Sequence, residues 1–279
     1  MSAAAPSKWG DLFVRTASAV VLVPVVIACI WLGGYWFSVF AGVLGCMIAH
    51  EWAGIVHPNN WVQYGLHIAA AVCGAFLAGY WGAGVAAAAV LGLAFLSGLL
   101  VRFGDSAKSQ WSYMGVFYVG FPTLALILLR QGPNTGFAAI LWVFLIVWSA
   151  DILAYFAGRI IGGPKLAPRI SPKKTWAGLA GAIAGSMLAS FLFAHFMNLP
   201  GRFELALLAG MLAIVEQGGD LFESSLKRYY GVKDSGRLIP GHGGVIDRVD
   251  GLIAVVVAAA VIGVYRGHGT DTAQGLLLW

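Results

Sequence analysis

Long apolar runs constrain the fold of this chain more than any other feature. A helix needs about 20 apolar residues to cross the hydrocarbon core of a bilayer. Nine runs are candidate spans: 16–32, 35–56, 64–81, 83–101, 113–130, 136–157, 176–198, 205–222 and 250–266. Charged residues make up only 10% of the chain, against about 25% in soluble domains. These observations predict an all-α, polytopic transmembrane helical bundle.

The basic residues predict the orientation of this bundle, because Lys and Arg concentrate on the cytoplasmic side of membrane proteins. With a cytoplasmic N-terminus, fourteen of the 17 basic residues fall on the cytoplasmic side, and only Arg130, Arg202 and Arg266 fall on the other. Two predicted cytoplasmic loops, near 158–175 and 223–250, carry ten of them. We therefore divide the chain into N-terminal transmembrane helices, residues 1–135, and a C-terminal transmembrane catalytic region, residues 136–279.

Four carboxylates lie inside the predicted spans or at their ends: Glu51, Asp151, Glu216 and Asp220. A charge at the bilayer centre costs about 2.5–3.5 kcal/mol on insertion scales, so such residues should face the bundle interior or a wet cavity. Glu216 and Asp220 are four apart and share one helix face. The pattern predicts an acidic pocket open to the cytoplasm, although simple interfacial placement stays open for Glu51 and Glu223.

The first loop has the composition of an anion site. Three prolines and five basic residues lie between Arg159 and Trp176, and a short run, Ser171, Lys173, Lys174 and Thr175, leads into the next span. Hydroxyl and ammonium groups near a helix N-terminus favour anion binding. A basic segment beside the membrane can equally bind anionic lipid headgroups. The two interpretations are compatible if the substrate is itself an anionic lipid.

The second loop combines residue types that phosphate chemistry requires. Its basic residues can neutralise phosphates, and Asp220, Asp247 and Asp250 offer the hard oxygen ligands that suit Mg²⁺. The run 241–244, Gly-His-Gly-Gly, lets backbone amides approach a phosphate. His242 could act as a general acid or base, donate to a phosphate, assist metal binding or simply occupy a turn. The three cysteines stand in apolar runs, and we interpret them as buried hydrophobic residues.

Residues 225–250 resemble the signature of bacterial phosphatidate cytidylyltransferases, also called CDP-diacylglycerol synthases. The matching positions are Ser225, Lys227, Arg228, Lys233, Asp234, Gly236, Ile239, Pro240, His242, Gly243, Gly244, Asp247, Arg248 and Asp250. The resemblance extends upstream to residues 151–155 and 171–176. One departure is Ala177, because the family usually has Glu after this Trp. Either that carboxylate is dispensable here or this copy is impaired.

The resemblance implies transfer of CMP from CTP to phosphatidate, which gives CDP-diacylglycerol and pyrophosphate. It also implies Mg²⁺ as cofactor, a second cation such as K⁺, and a homodimer in the bacterial inner membrane with its site facing the cytoplasm. The implied catalytic residues are Asp220, Asp247, Lys227, Arg228, His242 and Asp250, of which Asp220 and Asp247 would hold the metal. The implied substrate-binding residues are Ser171, Lys173, Lys174, Thr175, Ser225, Lys233, Asp234, Gly243, Gly244, Arg248 and Asp151.

Other classes of protein would use some of these residues. A cation- or proton-coupled transporter would explain the intramembrane carboxylates but not the basic, glycine-rich loop. A lipid-binding scaffold would leave the paired aspartates unexplained. Another CTP-dependent enzyme acting on a polyprenol or dolichol would not require the His-Gly-Gly-x-x-Asp-Arg-x-Asp pattern. No feature of the sequence indicates nucleic-acid binding.

Overall fold

The computed structural model describes residues 20, 23–102, 109–133, 135–239 and 243–279, and these residues are mostly helical. The helices are α1 (Val23–Leu32), α2 (Gly34–Val56), α3 (Trp61–Trp81), α4 (Ala83–Arg102), α5 (Ser109–Arg130), α6 (Gly136–Ile160), α7 (Trp176–Phe196), α8 (Arg202–Tyr229), α9 (Ile246–Arg266) and α10 (Thr272–Leu277). Eight of them, α2–α9, are long and apolar enough to cross a membrane. The predicted polytopic, all-α architecture is confirmed.

The predicted spans match the helices best where the sequence is uniformly apolar. The first predicted span corresponds to α1, although residues 16–19 and 21–22 of that span lie outside the described residues. Helix α8 continues past the predicted end of its span to Tyr229, and α9 begins at Ile246 rather than at 250. A hydropathy window ends a span where charges begin, whereas these helices continue through their charged ends. The predicted second loop, 223–250, is therefore shortened to residues 230–245, and its flanking residues are helical.

A β-hairpin connects α6 to α7, and the sequence analysis did not predict it. Strand β1 (Lys165–Ala167) pairs antiparallel with β2 (Ser171–Thr175), with Lys165 opposite Thr175 and Ala167 opposite Ser171. Prolines in this segment prevent a continuous helix, and the short hairpin pairs its backbone groups instead. Thr175 then caps α7, since its Oγ1 accepts from the backbone N–H of Gly178 at 3.0 Å.

Glycines let the helices approach each other closely, as small residues do in membrane bundles. A Cβ on Gly74 of α3 would lie 2.6 Å from the carbonyl oxygen of Gly120 on α5. A Cβ on Gly219 of α8 would lie 2.8 Å from the carbonyl oxygen of Asp250 on α9. The second approach brings the charged ends of α8 and α9 together, and helix α5 packs against α9 as well as against α2 and α3.

Candidate active site

The charged end of α8 and the hairpin meet through Lys174 of strand β2. The Lys174 Nζ lies 2.6 Å from Oδ2 of Asp220 and donates to Oε1 of Gln217 at 2.8 Å. Asp220 also accepts from the Ser224 hydroxyl at 3.2 Å. The Gln217 amide donates in turn to Oε2 of Glu216 at 2.7 Å. Lys174 therefore joins the hairpin to the acidic residues of α8.

Further carboxylates extend this acidic cluster across three helices. Asp151 of α6 lies within hydrogen-bonding reach of Glu216, and it also interacts electrostatically with Asp220. Asp250 of α9 lies close enough to both Asp220 and Asp151 to interact with them. Glu216 is buried, with 1% of its surface exposed. Glu216 thus faces the bundle interior, as the cost of exposing it to lipid predicts, whereas Asp220 is half-buried and Asp151 is exposed.

A second ion-paired group joins α8 to the start of α9. The Lys227 Nζ lies 2.7 Å from Oδ1 of Asp247 and 2.8 Å from Oε2 of Glu223. Oδ2 of Asp247 accepts from the backbone N–H groups of Ser235 at 3.0 Å and Gly244 at 3.1 Å. Asp247 therefore ties residues 235 and 244 of the loop to the base of α9.

Glu51 supports this loop from the N-terminal half of the chain. Its carboxylate accepts from the Ser235 hydroxyl at 2.8 Å and from the backbone N–H groups of Val245 at 2.8 Å and Ile246 at 2.9 Å. The side chain is buried, with 3% exposed, so simple interfacial placement of Glu51 is wrong. A carboxylate at a helix N-terminus satisfies free backbone donors and complements the helix dipole.

The contact of Glu51 with the loop was not predicted, because its partners are 184 to 195 residues away in sequence. The signal that was present is an acidic residue, Glu51, near the end of an otherwise apolar run. That signal shows that Glu51 needs a partner without showing which partner it has.

Three glycines stand where any side chain would collide with these carboxylates. A Cβ on Gly236 would lie 2.5 Å from Oε1 of Glu51, and a Cβ on Gly244 would lie 2.8 Å from Oε2 of the same residue. A Cβ on Gly251 would lie 2.7 Å from Oε1 of Glu216. Glycine is thus required at these positions because buried carboxylates pack directly against the backbone.

The remaining predicted residues surround these two groups with varied exposure. Arg228, Lys233, Asp234, Arg248 and Lys173 are exposed, while Ser171 and Ser225 are half-buried. The Arg228 guanidinium donates to the carbonyl of Val232 at 3.4 Å. Gly243 has φ +83°, in the left-handed region that favours glycine, and its carbonyl accepts from the Ile239 N–H at 3.1 Å. His242 lies outside the described residues.

Thr175 and Ala177 stand at the start of α7. Thr175 is buried, and its hydroxyl oxygen caps the helix, which limits what it can offer to a ligand. Ala177 is half-buried in the first turn. Whether its missing carboxylate lowers activity stays a prediction, which the turnover of Ala177→Glu would test.

The carboxylate oxygens of the site show whether it suits a divalent cation. Six carboxylates, those of Asp151, Glu216, Asp220, Glu223, Asp247 and Asp250, outnumber the basic groups paired with them. The Oε1 of Glu223 is buried and has no hydrogen-bond partner among the described residues. Excess negative charge and an unpartnered carboxylate oxygen suit a hard cation. Within the same residues, however, no three His, Cys, Asp or Glu side chains already stand as a ligand set.

Tyr118 of α5 lies near both ion-paired groups. It interacts electrostatically with Asp250, Glu223, Asp220 and Asp247, which places all four near one point of the bundle. Its hydroxyl is buried and has no partner among the described residues. Tyr118 was not predicted as a site residue, because an aromatic residue in an apolar span is ordinarily a packing residue.

The arrangement suits the binding of a polyanion beside a membrane. Two lysines are held in place by carboxylates, and exposed basic residues stand beside them in the sequence, at Lys173 and Arg228. Preorganised charges of this kind stabilise a developing charge without having to reorganise during the reaction. Phosphoryl-type transfer depends mainly on such positioning and charge neutralisation.

Comparison with known proteins gives consistent matches over most of the chain. A family model described as "Cytidylyltransferase family" matches residues 13–265. A protein of Brucella abortus biovar 1 (strain 9-941) is 40% identical over 259 residues, covering 91% of this chain and 93% of its own length. A protein of Pseudomonas aeruginosa is 35% identical over 261 residues, covering 89% and 95%. A protein of Staphylococcus epidermidis is 33% identical over 255 residues, covering 87% and 95%. All three are named phosphatidate cytidylyltransferase.

Proposed function

The chain belongs to the cytidylyltransferase family, and from this membership we propose that it is a phosphatidate cytidylyltransferase. In this proposal it transfers CMP from CTP to phosphatidate and releases CDP-diacylglycerol and pyrophosphate. The observation that carries the proposal is the match of relatives with this name over about nine-tenths of the chain. The ion-paired site at the charged ends of α8 and α9 supports it independently. The named relatives give no support to a transporter.

The reaction is a displacement at the α-phosphorus of CTP. An oxygen of the phosphatidate phosphate forms a bond to this phosphorus, and the bond from the phosphorus to the bridging oxygen of the β-phosphate breaks. Pyrophosphate leaves with that electron pair. The attacking oxygen is already anionic, so the step requires no strong general base.

The basic residues of the site would bind and orient the two anions. Lys227 is held by Asp247 and Glu223, and Lys174 is held by Asp220. The exposed residues Arg228, Lys233, Arg248 and Lys173, with Ser171 and Ser225, would surround the triphosphate and the lipid phosphate. Asp151, Asp234 and Asp250, and the backbone at Gly243 and Gly244, would complete the substrate site together with His242 and Thr175.

Mg²⁺ is the proposed cofactor, with Asp220 and Asp247 as its ligands and K⁺ as a candidate second cation. A bound divalent cation would neutralise phosphate charge and orient the transferring group. Because each of these aspartates is now bonded to a lysine, binding of the metal with CTP would require Lys174 and Lys227 to turn toward the phosphates.

We propose that the site faces the cytoplasm of a bacterial inner membrane, and that the protein forms a homodimer. The basic residues support the orientation, since the hairpin and the 230–245 loop lie on the side that the positive-charge rule assigns to the cytoplasm. Gly65, Gly92 and Gly218 are exposed on the helix surfaces, where small residues would let the helices of a second copy pack closely.

The test is an assay of the purified protein with labelled CTP, phosphatidate and Mg²⁺ in detergent micelles. We expect a CMP-lipid product and one pyrophosphate for each lipid converted. Replacement of phosphatidate by a polyprenol should give no labelled lipid. Product with a polyprenol alone, or no product with either lipid, would contradict the proposal.

A further inference from the structure

A groove of about 480 Å³ runs between α2 and α3 on the outer surface of the bundle. Its walls are mainly apolar and include Val39, Val43, Val72 and Phe76. Val43 and Val72 are 55% and 44% exposed, so the groove opens toward the space that lipid occupies. Its volume falls within the range of about 300–1,000 Å³ that is typical of small-molecule sites. We refer to it as the α2–α3 groove.

One end of the α2–α3 groove is formed by the loop of the candidate active site. Leu238 of the 230–245 loop and His50 and Tyr64 of the helices line this end. The rings of His50 and Tyr64 meet edge to face, with centroids 5.8 Å apart. The next residue, Glu51, bonds Ser235 and the start of α9. The groove is therefore continuous with the structure that positions Asp247 and Lys227.

The length of the groove matches the depth of one membrane leaflet. Along α2 it extends from Val39 to His50, which at 1.5 Å per helical residue is about 16 Å. Half of a hydrocarbon core about 30 Å thick is about 15 Å. A single acyl chain entering at the His50 end would extend about 16 Å along α2, past the midpoint of the helix, to Val39.

The two ends of the α2–α3 groove differ in charge, and the difference suits an anionic lipid. The end near the active site has His50, and Arg237 precedes Leu238 in the loop; both side chains are exposed. The lining of the groove beyond His50 has no charged residue. A phosphate monoester would lie beside the basic end, with its acyl chain along the apolar walls.

We propose that the α2–α3 groove holds one acyl chain of the phosphatidate substrate and so sets the preference of the enzyme for long chains. This inference rests on the proposed function. It assigns a substrate-binding role to the N-terminal helices, where neither the signature residues nor the charged clusters lie. The lipid phosphate then reaches the site past Leu238, over the loop that Glu51 and Asp247 hold.

The test fills the groove from its walls. Val43→Trp and Val72→Trp each place an indole in the groove from an exposed position. Val85→Trp on α4 is the matched control, since Val85 is 43% exposed and lies outside the groove. Dipalmitoyl and dihexanoyl phosphatidate compete in the same dodecyl maltoside micelles, and the ratio of the two CDP-lipid products is measured. This ratio is independent of how much enzyme is folded.

We expect both groove variants to lower the ratio of long-chain to short-chain product by about tenfold, the effect of losing about two buried methylene groups. The control variant should leave the ratio unchanged. An unchanged ratio in both groove variants, or an equal fall in the control, would overturn the inference. If a second copy of the chain occupied the groove, the tryptophans would alter the oligomer mass and slow both lipids alike, which would also overturn it. Failure of the wild-type protein to convert either lipid would instead reject the proposed function itself.

Discussion

Asp220 is the residue at which the proposed metal site and the observed ion pairs meet. Its carboxylate lies 2.6 Å from the Lys174 Nζ and accepts from the Ser224 hydroxyl. A carboxylate bonded in this way can serve as a partner of Lys174, as a ligand of Mg²⁺, or as both in successive states. The first role needs only a negative charge near Lys174, whereas the second needs an oxygen that binds a cation.

Asp220→Asn should lower turnover by at least about a hundredfold, because even residues that only support a metal ligand cost about 10–100-fold in metal affinity or activity. The concentration of Mg²⁺ needed for half-maximal activity should rise at the same time. Glu204→Gln, at the opposite end of the same helix, is the control and should leave both quantities unchanged. A fall in turnover with an unchanged requirement for Mg²⁺ would contradict the metal assignment.

Glu51 acts on the same chemistry from a distance, through three hydrogen bonds to the 230–245 loop and the start of α9. Glu51→Gln replaces one acceptor oxygen by an amide that faces backbone donors. Hydrogen bonds to charged groups contribute about 1.5–3 kcal/mol each, so we expect the loop to open about 10–100-fold more often. Trypsin cleavage after Lys233 or Arg237 measures this opening directly.

We also expect Glu51→Gln to lose activity, because the loop that opens to trypsin is the loop that supports the candidate site. Glu51→Asp, which keeps the charge, should restore part of both. If Glu51→Gln inactivated the enzyme without any change in the rate of cleavage, Glu51 would not be a positioning residue.

At the scale of secondary-structure elements, the contact between α2 and the 230–245 loop depends on glycine. A Cβ added at Gly236 would lie only 2.5 Å from Oε1 of Glu51. Gly236→Ala should displace the loop, and a shift of about 1 Å near a reacting group can cost about a hundredfold in rate. Gly54→Ala on α2 is the control, because a Cβ there meets nothing within 4 Å. Turnover of both variants in the CTP assay provides the comparison, and wild-type turnover in Gly236→Ala would show that the loop tolerates the displacement.

The charged ends of α8 and α9 also show why element boundaries were harder to predict than elements. The apolar parts of both helices satisfy the length that a bilayer requires, and hydropathy finds them. The C-terminal end of α8 carries Glu223 and Lys227, which pair along that helix, and Lys227 also pairs with Asp247 in the first turn of α9. The helices extend through these charged residues because the charges form ion pairs. A hydropathy window reads only neighbouring residues, so it cannot detect a partner in another helix.

At the scale of the whole molecule, the alternation of eight long helices places the hairpin and the 230–245 loop at the same membrane face as the α2–α3 turn. Single cysteines at Lys233 and Arg202, in a chain with Cys29, Cys46 and Cys73 replaced by alanine, test the orientation. An impermeant maleimide added to intact spheroplasts should label the cysteine at 202 and leave the one at 233 unlabelled. The reverse pattern would contradict the proposed cytoplasmic site.

The sequence by itself determined the class of fold and the residues from which the candidate site is proposed. Apolar runs of bilayer length and a scarcity of charge predict a helical membrane protein, because lipid leaves helices as the structure that satisfies the backbone within each span. The few charges retained identified Asp220, Asp247 and Lys227, and local spacing was sufficient for the family resemblance. Only the tertiary structure decided which charges pair, that Glu51 reaches the loop from α2, and that Lys174 reaches α8 from a hairpin. These contacts join residues far apart in the chain, and their energies depend on burial and distance, which appear only when the helices pack.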